Sequence, residues 1–251
     1  MFCEHVNNLK STLATEWYIE DNSPDVVVTV SLLFWGLSVK FGETVLSAPV
    51  MEYKDTSILI FCKAPVPGNV KTRLIPALGE EGACRLHVAL SKRIICEALE
   101  ANLGEVILFC WPDISHEFFG SFNELGLVAQ EGRNLGERMH NAFKKVLAKK
   151  KNAVLIGTDC PTIDKHYLDR AIVRLLHHDA VIGPAEDGGY GLIGLHRSHS
   201  NYFENLFWGS DHICSETCRR FNQAGLNWSL MPFIWDVDRP EDVTRYLSLG
   251  I

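Results

Sequence analysis

A three-layer α/β/α domain with a mostly parallel central sheet is the fold class this sequence predicts, and three observations lead there. From residue 51 onward, short runs rich in Val, Ile and Leu alternate with amphipathic stretches of helical period. The runs lack a clean apolar/polar alternation, as expected of strands covered on both faces. No internal repeat, low-complexity tract or linker interrupts the pattern, so residues 51–251 read as one domain.

The first strand is the apolar run 57–62, Ser-Ile-Leu-Ile-Phe-Cys, followed by a Pro/Gly-shaped loop and a long helical pattern over 80–101. Further strands are expected at 105–111, 127–130, 153–158, 180–183, 191–195 and 228–232, with helices over 117–125, 135–148, 164–176 and 215–224 between them. The last helix, 240–249, opens with Pro240, Glu241 and Asp242, a proline in the first turn and acids beside the positive end of the helix dipole.

The net charge of −7 argues against a surface that coats nucleic acid, so an anionic ligand must meet a local cationic pocket. None of the eight cysteines forms a CxxC pair. Cys214 and Cys218 stand one helical turn apart, but no paired His/Cys set completes a zinc site. Reduced thiols in a cytoplasmic protein are expected. Residues 1–50 do not match the remainder: the apolar run 26–39, about 14 residues, is short of the roughly 17–25 that span a bilayer. Acids rather than basic residues precede it, unlike a signal peptide. Met51 opens a segment resembling a natural start, so 1–50 are expected to be an extension upstream of the domain. A real accessory or membrane-touching segment is the rival expectation.

Chemistry concentrates in four places. The loop Lys63-Ala-Pro-Val-Pro-Gly-Asn-Val-Lys-Thr-Arg-Leu74 carries Lys63, Lys71 and Arg73 at the carboxyl end of the first strand, where phosphates bind in open α/β sheets. It is not a P-loop, because Val70 stands where that motif needs Gly. An ordinary surface loop with solvated cations is the alternative. The strand 153–158 ends in Thr158 and Asp159; a carboxylate there is placed to hold a divalent metal over a ligand phosphate, and Asp164 is the better helix cap. Asp236 and Asp238 alternate, so in an extended chain both point one way; they require a cation or donors, or they begin the terminal helix. Gly183-Pro-Ala-Glu-Asp-Gly-Gly-Tyr-Gly-Leu-Ile-Gly194 contains GxGxxG, but Leu192, Ile193 and Leu195 continue as a strand, which excludes a dinucleotide fingerprint. A tight loop presenting Glu186, Asp187 and Tyr190 to a ligand is expected instead.

In the order KAPVPGNVKTRL, QEGRNLGERM, GTDCP, GPAEDGGYGL and DVDRPEDV, these segments resemble the GT-A superfamily of nucleotide-diphospho-sugar transferases, and within it the rSAM/selenodomain-associated transferases. The resemblance covers about residues 56–250. It implies that the Lys63–Arg73 loop, with Pro65, Gly68, Lys71, Thr72 and Arg73, holds the nucleotide phosphates, together with Thr158. It also implies that Gln130, Leu135 and Gly136 form a base-contacting segment, and that Asp159 and Asp238 bind Mg²⁺ or Mn²⁺. The implied partners are a nucleotide or nucleotide sugar and a small acceptor, with neither nucleic acid nor a membrane span. Lys71 and Arg73 would stabilise the departing phosphates.

Two reactions share such apparatus: sugar transfer from a nucleoside-diphosphate sugar, and nucleotidyl transfer of the guanylyltransferase kind. Glu186 and Asp187 favour the first, because an attacking hydroxyl profits from a general base whereas a phosphate is already anionic. Asp187 is the expected base; Glu186, Tyr190 and Asp236 are expected near the acceptor. A non-catalytic nucleotide-binding protein is the third possibility.

Overall fold

The computed structural model describes residues 53–250, so the expectations for residues 1–50 and for the Met51 start lie outside the described residues. Seven strands form one sheet: β1 (Thr56–Lys63), β2 (Glu105–Trp111), β3 (Gly126–Ala129), β4 (Asn152–Ile156), β5 (Ala180–Pro184), β6 (Tyr190–Leu195) and β7 (Trp228–Leu230). Their spatial order is β3-β2-β1-β4-β6-β5-β7. All neighbours pair in parallel except β6, which runs antiparallel to both β4 and β5. Six helices complete the fold: α1 (Ile75–Ala101), α2 (Glu117–Gly120), α3 (Leu135–Leu147), α4 (Lys165–Leu175), α5 (Ile213–Gln223) and α6 (Pro240–Ser248).

Sheet burial on both faces explains the near-continuous apolar runs. On β1, Ile58, Ile60 and Cys62 pack with Ile94 and Ile95 of α1 and Leu168 and Ile172 of α4. Leu59 packs on the opposite face with Met139 and Phe143 of α3 and Phe221 of α5. Side chains alternate across a strand, so an apolar residue at every position means helices on both sides. Helix α1 is continuous in hydrogen bonding but broken at Gly79 (φ 70°), so the regular helix begins at Glu80, where its sequence pattern begins. Asp164 caps α4, accepting from Tyr167 N at 2.7 Å, which leaves Asp159 without a capping duty. At α6 the cap residue is Arg239, and the Asp242 carboxylate accepts from the backbone N–H groups of Asp238 and Arg239.

The order of strands matters for function. From β1 the chain runs outward through β2 and β3, then returns to β4 on the other side of β1. Such a reversal opens a crevice at the carboxyl ends of the two central strands, and ligands of open α/β sheets bind there. Among the described residues, no helix is long and apolar enough to cross a membrane.

Candidate active site

A cleft of about 620 Å³ lies over the carboxyl ends of β1 and β4, a size suited to a small-molecule ligand. The loop after β1 forms one wall. Buried Val70 pins that loop, and buried His87 of α1 directs Nε2 at the Lys63 carbonyl, 2.8 Å away. Burial pushes the His87 pKa down, so this imidazole serves the loop as a neutral donor. Lys63 lines the cleft, yet its ammonium donates to the Asn69 carbonyl at 2.6 Å and closes its own loop. Lys71 adopts a left-handed backbone conformation (φ 47°), uncommon for a residue with a Cβ. Its side chain is almost fully buried, and Nζ reaches Asp159 Oδ1 at 2.9 Å. After one turn of 3₁₀ helix, Arg73 pairs with Asp238 from the opposite wall.

Asp159 stands three residues past β4, and its carbonyl accepts a hydrogen bond from Val237 N at 3.0 Å. This backbone bond sets the 236–238 segment beside the end of β4. Val237 is fully buried, so the flanking Asp236 and Asp238 both turn to the cleft. Burial opposes ionisation of Asp159, but the Lys71 charge and hydrogen bond outweigh it and hold that carboxyl below its ordinary range. Asp236 goes the other way: burial, then the negative charges of Asp187 and Asp238, push its pKa up to about 6.

The third wall is the turn between β5 and β6. Asp187 faces the cleft with Oδ1 held by Gly189 N at 2.9 Å. Gly188 (φ +88°) packs so closely that an added Cβ would stand 2.0 Å from the Asp211 carbonyl oxygen. Gly188→Ala is therefore expected to destabilise the fold by about 1–3 kcal/mol and to shift the Asp187 turn. Urea unfolding with an unchanged m-value checks the first effect.

Of the residues singled out by sequence, the cleft gathers Lys63, Lys71, Thr72, Arg73, Leu135, Thr158, Asp159, Asp187, Tyr190, Asp236 and Asp238. Five others lie outside its lining. The Pro65 carbonyl accepts the Cys84 thiol, and Gly68 sits against the Glu80 carboxylate, so both shape the loop from behind. The Gln130 side chain is buried, donating to the Phe109 carbonyl at 2.8 Å with Arg138 near its oxygen, and so does not reach out to a base. Gly136 supports the cleft indirectly: an added Cβ would meet the Phe203 carbonyl oxygen at 2.5 Å and the Trp208 ring at 2.9 Å. Glu186 is held by both guanidinium nitrogens of Arg245 (2.7 and 2.9 Å), which itself stacks 4.2 Å over the Trp235 ring.

Tyr190 meets the cleft with its ring alone. Its hydroxyl is buried beside Thr217 of α5, where desolvation drives its pKa up. Sequence reasoning missed Asn69, His87, Met139, Trp208, Ser210 and Ile213, all of which line the cleft. The signal for Trp208 was an aromatic pair beside Gly209-Ser210 in a stretch without helical or strand period.

Among the described residues, no three His, Cys, Asp or Glu side chains gather closely enough to hold a metal by themselves. The donor set nonetheless fits a divalent cation held partly by ligand phosphate. Asp159, Asp187, Asp236 and Asp238 share the cleft lining with Lys63, Lys71 and Arg73 as its lysines and arginines, and the charges of Asp187 and Asp238 add to burial in raising the Asp236 pKa. Mg²⁺ commonly takes one or two carboxylates and completes its shell with phosphate oxygens and water.

The fold is that of nucleotide-diphospho-sugar transferases. A protein from Desulfovibrio desulfuricans G20 described as such a transferase is 31% identical, with a TM-score of 0.70 over 74% of this chain and 83% of that one. A family model described as "Uncharacterized protein conserved in bacteria (DUF2064)" matches residues 94–210. The 4-diphosphocytidyl-2C-methyl-D-erythritol synthase of Anaerococcus prevotii shares the fold alone, at 11% identity and a TM-score of 0.52 over 78% of this chain and 99% of that one. The 2-phospho-L-lactate guanylyltransferase of Methanocaldococcus vulcanius is 27% identical over 55% of this chain, and the match spans 60% of that relative's length. These relatives are transferases.

Proposed function

We propose that the protein is a divalent-metal-dependent transferase that moves a sugar from a nucleoside-diphosphate sugar to a small acceptor. The observation that carries this reading is the pairing of charge across the β1/β4 crevice, Lys71 with Asp159 and Arg73 with Asp238. Two candidate phosphate cations and two candidate metal carboxylates thus line one cleft. The Arg73–Asp238 pair is partly exposed and worth no more than about 1 kcal/mol, so an incoming phosphate and cation can each take over a partner.

Asp159 and Asp238 would hold Mg²⁺ or Mn²⁺, which when bound supplies Lewis-acid stabilisation of the diphosphate. Lys71 and Arg73 bind the phosphate oxygens, and Arg73 offers a planar fork for two of them. Asp187, fixed by Gly189 N, accepts the proton of the acceptor hydroxyl as its oxygen bonds to the anomeric carbon. The bond from that carbon to the diphosphate breaks, and its electron pair leaves with the nucleoside diphosphate.

The guanylyltransferase relative favours a second reading, nucleotidyl transfer to a phosphorylated small molecule, in which pyrophosphate leaves. Thermal shift with a panel of nucleotides and nucleotide sugars, with Mg²⁺ or Mn²⁺, separates the two. A ligand at about 100 times its dissociation constant adds roughly 2.7 kcal/mol of apparent stability. Selective stabilisation by a nucleotide sugar is the expected result. Preference for a triphosphate would favour nucleotidyl transfer, and no shift with any ligand would leave a non-catalytic protein.

A further inference from the structure

The charges of the cleft are not evenly spread. Every lysine and arginine in its lining belongs to the loop after β1. The 185–213 segment contributes Asp187, Tyr190, Trp208, Ser210 and Ile213 to the lining, and none of its lining residues is a lysine or arginine. Trp208 is only partly buried, and it meets the Tyr190 ring edge-on with centroids 6.4 Å apart. Gly136 is what lets that indole lie where it does, since any side chain there would strike it. The Asp187 turn and the Trp208 segment are joined directly: Gly188 packs on Asp211, and the Gly188 carbonyl accepts from Cys214 N at 2.9 Å. This wall therefore presents a carboxylate, a hydroxyl and an aromatic face, and contributes no lysine or arginine of its own.

We propose that this wall seats the second substrate and that the substrate is an uncharged, ring-bearing polyol, a carbohydrate or close analogue, lying on Trp208. The inference rests on the proposed function and narrows its acceptor. A phosphate or carboxylate on the acceptor would confront Asp187, with Asp236 nearby, and this wall contributes no lysine or arginine to offset the repulsion, the cleft's cations all coming from the 63–73 segment on the donor side. A hydroxyl finds what it needs: Asp187 to take its proton, and an indole face for the apolar side of the ring. Trp208 is thus a specificity-determining residue.

The test fills the donor half first. Titration calorimetry with ADP, CDP, GDP and UDP in Mn²⁺ identifies the nucleotide that binds. Into that complex are titrated methyl glucoside, galactoside and mannoside, and then the 6-phosphates of the same three sugars. At least one neutral glycoside is expected to bind on the order of tenfold or more tighter than its phosphorylated counterpart. Trp208→Ala should weaken the glycoside about tenfold while leaving the nucleoside diphosphate near its wild-type affinity, and Trp208→Phe should recover most of the loss. Equal or tighter binding of a sugar phosphate, or binding of none of the six sugars, would overturn the inference while leaving the proposed function standing. If Trp208→Ala does not fold, the neutral-against-phosphorylated comparison on the unaltered protein decides alone. Failure of all four nucleotides would remove the proposed function itself.

Discussion

Asp187→Asn is expected to lower turnover by about 10²–10⁴ while donor and metal binding stay near wild type. The substitution keeps size and can still accept from Gly189 N, so the turn that Gly188 and Gly189 hold is preserved. What it removes is the capacity to accept a proton from the attacking hydroxyl. Steady-state kinetics together with donor titration measure both halves of the expectation. Loss of donor binding would make Asp187 a ligand of metal or ribose. Intact turnover would favour nucleotidyl transfer, which needs no such base.

Arg73→Ala is expected to cost about 10²–10³ in rate, the scale of one lost contact to developing charge. Lys63→Ala should cost clearly less. The structure gives the reason: the Lys63 ammonium is already spent on the Asn69 carbonyl, whereas the Arg73 side chain is 65% exposed and held only by Asp238. Its fork is free to turn from that carboxylate to phosphate oxygens. Parallel kinetics of the two variants check this, and equal marginal effects would make the whole loop structural.

The sheet was legible because its physics is local. Most of the strands carry a short Val/Ile/Leu-rich run, and the 105–111 strand was located to the residue. The carboxyl-end placement of Lys71, Arg73 and Asp159 followed from strand–loop–helix order alone. What could not be read was any pairing set by distant segments. Glu186 looked like a ligand-facing acid beside Asp187, but Arg245, 59 residues away, takes its carboxylate. The resemblance implied that Gln130 contacts a base, yet the adjacent strand supplies a carbonyl that its amide bonds. That the Tyr190 hydroxyl turns away from the cleft could not be read, because β6 was known only as a run, without the helix α5 that buries one side of it. Trp208 escaped because it belongs to a segment with no period, positioned only through Gly136 and Tyr190. The left-handed backbone of Lys71 leaves no mark in the sequence either.

The proposed function requires one crevice to take a nucleoside diphosphate and a divalent cation together, through Lys71–Asp159 and Arg73–Asp238. Its most direct test is calorimetric titration of the nucleotide, with and without Mg²⁺ or Mn²⁺, into the wild type, Asp159→Asn and Asp238→Ala. Wild type should gain affinity from the metal. Each variant should lose that gain, while its metal-free affinity stays equal to or rises above wild type, because the substitution releases Lys71 or Arg73 for phosphate. Wild-type metal dependence retained in both variants would contradict the account.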